Sequence, residues 1–303
     1  MQAVRLVSTE NLSREEWLDF RKKGLGGSDL AAIIGISPYR SALAVYYDKV
    51  GEAPGLEDNL AMELGRELEP FLRRKFEKWM VAHEGHEVEV LEEKYILQHL
   101  ENKWMLANID GKFEHPELGL CGLELKTAGE YQREHWENEQ LPDDYYCQVQ
   151  WYLAVTGLQT WYVGYLLGNR LFNGLKVPRN EAVIEKLITR GKDFWENNVL
   201  AKVPPAPGGF NCDMDILKKL YPEEERAKTI ELHDIQDVYD EYKQLIKQQK
   251  EIELEISAIK QLFMSRMGIA EVALVGTKKI TWKMVHRSGY TVEPTSFRQF
   301  RIY

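Results

Sequence analysis

Two carboxylates and a lysine carry the first chemical suggestion in the chain: Asp110, then Glu124 and Lys126 on either side of Leu125. The run LGLCGLELKT reads as a strand, in which residues i and i+2 point the same way. Glu124 and Lys126 therefore share one face and Leu123 and Leu125 the other. Asp110 closes the strand-like run KWMLANID, and a hairpin with Asp110-Gly111 at its turn would bring it beside Glu124. Two acids and a cation converging at a sheet edge suit hydrolysis of a phosphodiester. That reaction needs its charge neutralised, a water deprotonated and a leaving oxyanion stabilised. One or two Mg²⁺ ions held by carboxylates can serve all three needs, and hard oxygen ligands favour Mg²⁺ or Mn²⁺ over zinc. A lysine beside them can orient or deprotonate the attacking water, or stabilise charge in the transition state. The same residues also fit an ordinary turn and a half-exposed strand.

A second stretch, RKKGLGGSDLAAIIGIS from Arg21 to Ser37, sets glycines and cations before an apolar run. It lacks the third glycine of a dinucleotide fingerprint, and its lysines precede the glycines rather than ending a P-loop. Read locally, Ser28 is an N-cap, and Leu30, Ile33 and Ile34 form an apolar helical face. HEGHE, His83 to Glu87, is not a His-Glu-x-x-His pair and falls where a helix gives way to a strand, so it reads as a solvated loop.

The elements that must position these groups follow from pattern. LSREEWLDF opens a helix with a Ser13/Glu16 capping box and Leu12 placed as a staple. Residues 60–80 form a long amphipathic helix, in which Pro70 calls for a kink or a fresh start near Glu69. Three strands follow (KYILQHL, KWMLANID, LGLCGLELKT), then a helix from Tyr145 to Val155, strands TWYVGYLLG and NGLKVPR, and a helix over 180–200. This order predicts an α/β core with a mixed sheet flanked by helices. KVPPAPGGF, Lys202 to Phe210, marks a boundary between domains 1–203 and 204–303. Beyond it, Val238, Tyr242, Leu245, Gln249, Ile252, Ile256, Ile259 and Phe263 alternate steps of four and three, a heptad seam that a self-packed helix would also show. VALVGTKKITWKMV reads as a hairpin, and a basic end runs from Lys278 to Arg301.

Composition bounds the rest. Of 303 residues 44% are hydrophobic, enough for a substantial core, and no run is long and apolar enough for a membrane span. With no signal-peptide pattern and only Cys121, Cys147 and Cys212, far apart and odd in number, the expectation is a soluble cytoplasmic protein without a disulfide framework. The net charge of −9 falls entirely within residues 1–203, which hold 24 cations and 33 anions, against 15 of each in 204–303. That balance does not exclude nucleic acid, because a carboxylate cluster lowers the sum where divalent metal would restore the field.

The motif NIDG…GLELKT resembles that of the PD-(D/E)xK nucleases, with Ile109 in place of the usual proline. With FRKKGLGGSDLAAIIGISPY, ELGRELEPF and YYCQVQWYLAVTG in the same order over residues 14–166, the chain resembles the lambda-exonuclease-like, YqaJ-type phage recombinase nucleases. The resemblance implies a restriction-endonuclease-like core with the C-terminal helix and hairpin as an extension. It implies Asp110, Glu124, the Leu125 carbonyl and Glu69 as holders of one or two Mg²⁺ ions (Mn²⁺ substituting), although Glu63 and Glu67 lie close to Glu69. Lys126 would act on the water, Gln148 and Tyr152 would support the site or grip DNA, and Arg21 and Ser28 would bind a 5′-phosphate. Asn108 stands where relatives can carry a phosphate-binding serine. The implied activity is 5′→3′ resection of double-stranded DNA ends, leaving 3′ single strands for phage-type recombination in a bacterial host. A single-strand annealing partner and a homotrimer are implied with it. An endonuclease or nickase on the same core, or a non-catalytic DNA-binding scaffold, are the alternatives.

Overall fold

The computed structural model describes residues 2–52, 59–130, 136, 140–168 and 170–286. The strand carrying Glu124 and Lys126 is β5 (Gly119–Ala128) in a four-stranded sheet with β4 (Gly111–His115), β6 (Thr160–Leu167) and β7 (Leu171–Pro178). β5 pairs antiparallel with β4 and parallel with β6, and β6 pairs antiparallel with β7, so the sheet is mixed. A parallel neighbour needs a crossover, and α5 (Asp143–Thr156) supplies it between β5 and β6. A second, antiparallel sheet joins β1 (Val4–Ser8), β2 (Tyr95–Gln98) and β3 (Leu106–Ala107).

Alternation along the strands fills two separate cores. Cys121, Leu123 and Leu125 of β5, with Phe113 and Tyr162, pack against Leu72, Phe76 and Met80 of α4 (Leu60–Glu84). The opposite face of β6, Trp161, Val163 and Tyr165, packs with Val149, Trp151 and Leu153 of α5. Both glutamate and lysine of the Glu-Leu-Lys triplet are thereby turned towards α5. Gly122, on that same face, cannot be larger: a Cβ there would sit 2.3 Å from the Trp161 ring.

The hairpin geometry differs from the sequence expectation. Asp110-Gly111 is not its turn. Asp110 immediately precedes β4, Gly111 lies opposite Leu123, and the chain reverses between His115 and Gly119. His115 Nδ1 accepts the backbone N–H groups of Glu117 (3.1 Å) and Leu118 (3.3 Å), which holds this reversal. Strand-like character in KWMLANID is confined to Leu106–Ala107. The helix expected to break near Glu69 runs continuously through Pro70 from Leu60 to Glu84, its packing in the α4 core offsetting the proline. His83 and Glu84 of HEGHE form the last turn of that helix, capped by a left-handed Gly85. Glu84 is no solvated loop residue, since it accepts from the Tyr162 hydroxyl (2.9 Å) and pairs with the ring of His115 (3.2 Å).

The N-terminal helices are α1 (Arg14–Lys22), α2 (Gly27–Ile33) and α3 (Ala42–Val50). α1 carries the Ser13/Glu16 capping box in both directions. Ser28, by contrast, lies inside α2 and does not cap it: the Gly26 N–H is taken by the Asp29 carboxylate at 2.9 Å. After α6 (Glu181–Phe194) and a π-helical turn, Trp195–Leu200, comes α7 (Asn211–Leu220).

The chain divides into two compact units, Met1–Tyr221 and Pro222–Tyr303. The division falls after α7 rather than at the proline-rich segment. The reason is buried Asp213, which accepts from the hydroxyl of Ser41, the N-cap of α3, and from the Gly208 N–H at 2.8 Å. In the second unit, α8 (Gln236–Met267) is followed by the hairpin β8 (Val272–Val275) and β9 (Lys278–Thr281). The part of the basic end beyond His286, with Arg301, lies outside the described residues. Among the described residues no helix is long and apolar enough to cross a membrane, and the three cysteines are unpaired.

Candidate active site

Asp110, Glu124 and Lys126 are brought together by the β4–β5 register. One carboxylate oxygen of Asp110 accepts the Leu125 backbone N–H at 2.7 Å, which locks it beside β5. Glu124 Oε1 accepts from Lys126 Nζ (2.6 Å) and from Gln148 Nε2 (2.7 Å) on α5. The same Gln148 amide donates to the Tyr152 hydroxyl at 2.9 Å, so the two α5 residues act as one bracket behind the carboxylate. Lys126 also lies 4.9 Å above the Tyr145 ring. Glu69 approaches from α4 and is held by Arg73, whose guanidinium donates to it at 3.2 Å and to the Asp110 backbone carbonyl at 2.8 Å. Glu69, Arg73, Asp110, Glu124, Lys126 and Tyr145, with Asn108, line an open cleft of about 800 Å³, and Gln148 and Tyr152 stand behind it. Glu63 and Glu67 are absent from its lining, which distinguishes Glu69 from them.

Arg21 lines the same cleft from the end of α1. It stands 4.8 Å from the Trp17 ring and donates to the Ser28 hydroxyl at 3.4 Å. Behind it, fully buried Asp29 is paired with Lys49 (2.8 Å) and Arg40 (3.1 Å), and Lys49 donates to the Arg21 backbone carbonyl at 3.0 Å. Burial alone would raise the Asp29 carboxyl, but Lys49, Arg40 and Arg21 hold it well below the usual carboxylate range. The glycine turn is tied to α5 by contact: a Cβ on Gly27 would meet Gln148 Cγ at 2.8 Å and the Gln148 carbonyl at 2.9 Å.

Residues 16–159 match the YqaJ-like viral recombinase domain. A relative from Bacillus subtilis (strain 168), the uncharacterized protein YqaJ, is 31% identical over 288 residues, covering 94% of this chain and 88% of that protein. The chain belongs to the YqaJ-like viral recombinase family. Among solved structures, the alkaline exonuclease LHK-Exo of Laribacter hongkongensis matches 62% of this chain and 94% of its own at 20% identity, with a TM-score of 0.49. A phage-related exonuclease of Haemophilus somnus 129PT matches 59% of this chain and 96% of its own at 13% identity, with a TM-score of 0.44.

Every residue named in this site, from Trp17 to Tyr152, falls within the YqaJ-like segment. Its electrostatics are those of crowded carboxylates. Burial, and then the nearby Asp110 charge, push Glu124 up to about 8 and Glu69 up to about 7. Asp110 is raised as well, by its own burial. Burial would lower Lys126, but Glu124 and Asp110 outweigh it and keep the ammonium charged. No three His, Cys, Asp or Glu side chains among the described residues form a ready-made metal cage, and Lys126, Gln148 and Arg73 hydrogen-bond the acids instead. The donor set nevertheless fits a hard divalent cation. Glu124 Oε2 is buried with no hydrogen-bond partner, an arrangement that costs free energy until something positive meets it.

Arg73 was not singled out by sequence. Its i+4 spacing from Glu69 was visible, whereas its bond to the Asp110 carbonyl crosses from α4 to the start of β4 and has no local signature. Asn108 lines the cleft, and neighbouring Ile109 is buried in the α5-side core.

Proposed function

We propose that this YqaJ-like chain is a Mg²⁺-dependent nuclease, with Mn²⁺ able to substitute, that resects double-stranded DNA ends 5′→3′. The observation that carries the proposal is the Glu124 carboxylate. It is buried, opposed by Asp110, hydrogen-bonded to Lys126, and left with one oxygen unsatisfied at the floor of a cleft that Arg21 also lines. Asp110, Glu124, Glu69 and the Leu125 carbonyl would hold the metal. When bound, it would supply charge neutralisation and activation of water for phosphodiester hydrolysis.

The protein's own groups account for the remaining requirements. Lys126, charged at neutral pH, donates to the attacking water or to a phosphate oxygen. Gln148 and Tyr152 fix Glu124 in place, and Arg73 sets the spacing of Glu69 from Asp110. Arg21 offers a bidentate cationic grip and Ser28 a hydroxyl, which together suit a terminal 5′-phosphate. This reading gives the Arg21 side of the cleft to end recognition, with Asn108 also on its wall. The product would be a 3′ single strand for recombination, passed to a single-strand annealing protein, and the working form a homo-oligomer. The family's description as a viral recombinase supports that role.

Purified protein with Mg²⁺ should digest linear duplex with a preference for 5′-phosphorylated ends, and should leave covalently closed plasmid intact. Full activity in Glu124→Ala would sink the assignment of the site. Cutting of closed plasmid would convert the reading to an endonuclease or nickase. DNA binding without any hydrolysis would leave a scaffold.

A further inference from the structure

We propose that Tyr39 is a stacking platform for one nucleobase of the strand held at the cleft, an inference that rests on reading the cleft as a DNA-processing site. Tyr39 lies in the short connection between α2 and α3, where it is 60% exposed and Ile36 is 40% exposed. The backbone that presents it is tightly tied. The N–H groups of Ile36 and Ser37 both donate to the Ala31 carbonyl, at 2.9 and 3.0 Å. The Ser37 hydroxyl accepts the N–H groups of Tyr39 and Arg40, each at 3.2 Å. Arg40 is then anchored to Asp29 (3.1 Å) and Asp48 (3.3 Å). Tyr39 is therefore fixed before any ligand arrives, and a ligand that covers its ring need not order the loop.

The same ties couple Tyr39 to the groups of the cleft. Asp29 holds Arg40 with one oxygen and takes the Gly26 N–H with the other, and a Cβ on Gly26 would lie 3.6 Å from the Arg21 guanidinium. One buried carboxylate thus sets both the Arg21 turn and the Tyr39 turn. Tyr39 also stands near Tyr145, which lines the cleft and lies against Lys126. Burial pushes the Tyr145 phenol up to about 12 against the pull of Lys126, and the neighbouring Tyr39 phenol adds to the rise. The carboxylates and cations of the cleft suit phosphates and a metal ion, so the bases of a bound strand must turn out towards its rim. A tyrosine ring there can stack on any base, because every base has a π-face. The exposed parts of Tyr39 and Ile36 offer on the order of 200 Å², well short of the about 800 Å² a side of a stable protein interface. A single base is the occupant that fits.

The test measures binding of the full chain to a dye-labelled, 5′-phosphorylated duplex by fluorescence anisotropy in EDTA. Tyr39→Ala should weaken binding roughly 5- to 100-fold, whereas Tyr39→Phe, which keeps the ring, should stay within about twofold of wild type. The urea midpoint of Tyr39→Ala should match wild type, since the ring is exposed. The deciding measurement repeats the comparison on duplexes carrying an abasic residue at the first, second or third nucleotide from the 5′ end. At one of these positions the difference between wild type and Tyr39→Ala should vanish, because the base that the ring covers is gone. Wild-type affinity in Tyr39→Ala, or a loss equally large on all three abasic duplexes, overturns the proposal, as does a chain that binds no DNA. Because binding is read without metal, a failure to hydrolyse DNA would sink the nuclease reading and leave this result standing.

Discussion

Replacing Glu124 with glutamine should make the metal-free protein more stable while destroying its proposed activity. Gln is isosteric: its carbonyl can keep the hydrogen bonds from Lys126 and Gln148, and its amide nitrogen takes the place of the unsatisfied Oε2 and can donate towards Asp110. The native carboxyl is raised from 4.5 to about 8, by burial first and the Asp110 charge second, even after the attraction of Lys126. A folded pKa above the unfolded one means the native state holds the extra proton between those values. Stability of the wild type therefore falls as pH rises from about 5 to about 8 and then levels. Each unit corresponds to about 1.4 kcal/mol, and part of the repulsion is shared with Asp110 and Glu69 rather than belonging to Glu124 alone. A gain of roughly 2–4 kcal/mol for the variant at pH 9 follows. At about pH 5, where Glu124 is protonated in the native state and the unfolded state has only begun to lose its proton, the two proteins should differ by less than about 1 kcal/mol. Urea unfolding in EDTA at the two pH values measures this directly. Adding Mg²⁺ should then stabilise the wild type but not the variant. A variant no more stable than wild type at pH 9, or equally stabilised at pH 5, would refute the reasoning.

Three other outcomes are expected. Arg21→Ala should cost roughly 10–100-fold in kcat/KM on 5′-phosphorylated duplex, as for loss of a charge-assisted contact of about 1.5–3 kcal/mol, and much less on 5′-hydroxyl ends; equal losses on both would remove Arg21 from end recognition. Asp29→Asn should destabilise the fold by about 3–5 kcal/mol at pH 7, since it leaves Lys49 buried without its partner. Because the native Asp29 carboxyl lies below its unfolded value, that contribution is present at neutral pH and is lost as pH falls below about 4; an acid-unfolding curve unchanged in the variant would contradict the assignment. Gly27→Ala should cost about 1–3 kcal/mol and also lower cleavage, because its Cβ presses on Gln148, the bracket of Glu124; thermal unfolding and activity that both match wild type would show that α2 and α5 yield freely.

What was legible in the sequence was what local spacing controls. The Ser13 capping box, the shared face of Glu124 and Lys126 and the one-turn pairing of Gln148 with Tyr152 are consequences of period and propensity. Errors arose where two local rules competed. Asp110-Gly111 is a good turn dipeptide, so β4 was overlooked, yet Gly-Lys-Phe-Glu-His alternates and its Phe113 fills the α4-side core. In Gly-Gly-Ser-Asp both Ser28 and Asp29 could serve a cap. The cations Lys49 and Arg40, distant in sequence, fix Asp29 inwards to take the Gly26 N–H and leave Ser28 to Arg21. Arg73 and Asp213 were invisible for a different reason: their partners lie 37 and 172 residues away.

The clasp between Asp213 and Ser41 has a practical corollary for dissecting the protein. Proline and glycine invite a cut near residue 207, but a chain ended there would leave the buried Ser41 hydroxyl without its acceptor and uncover the α3 surface that α7 covers. α3 also carries Lys49, the support of the Arg21 backbone. Such a shortened protein would lose the proposed end selectivity through damage transmitted along α3, and the loss would be misassigned to the missing C-terminal unit. The clean place to separate the two units is after Tyr221, where the first ends.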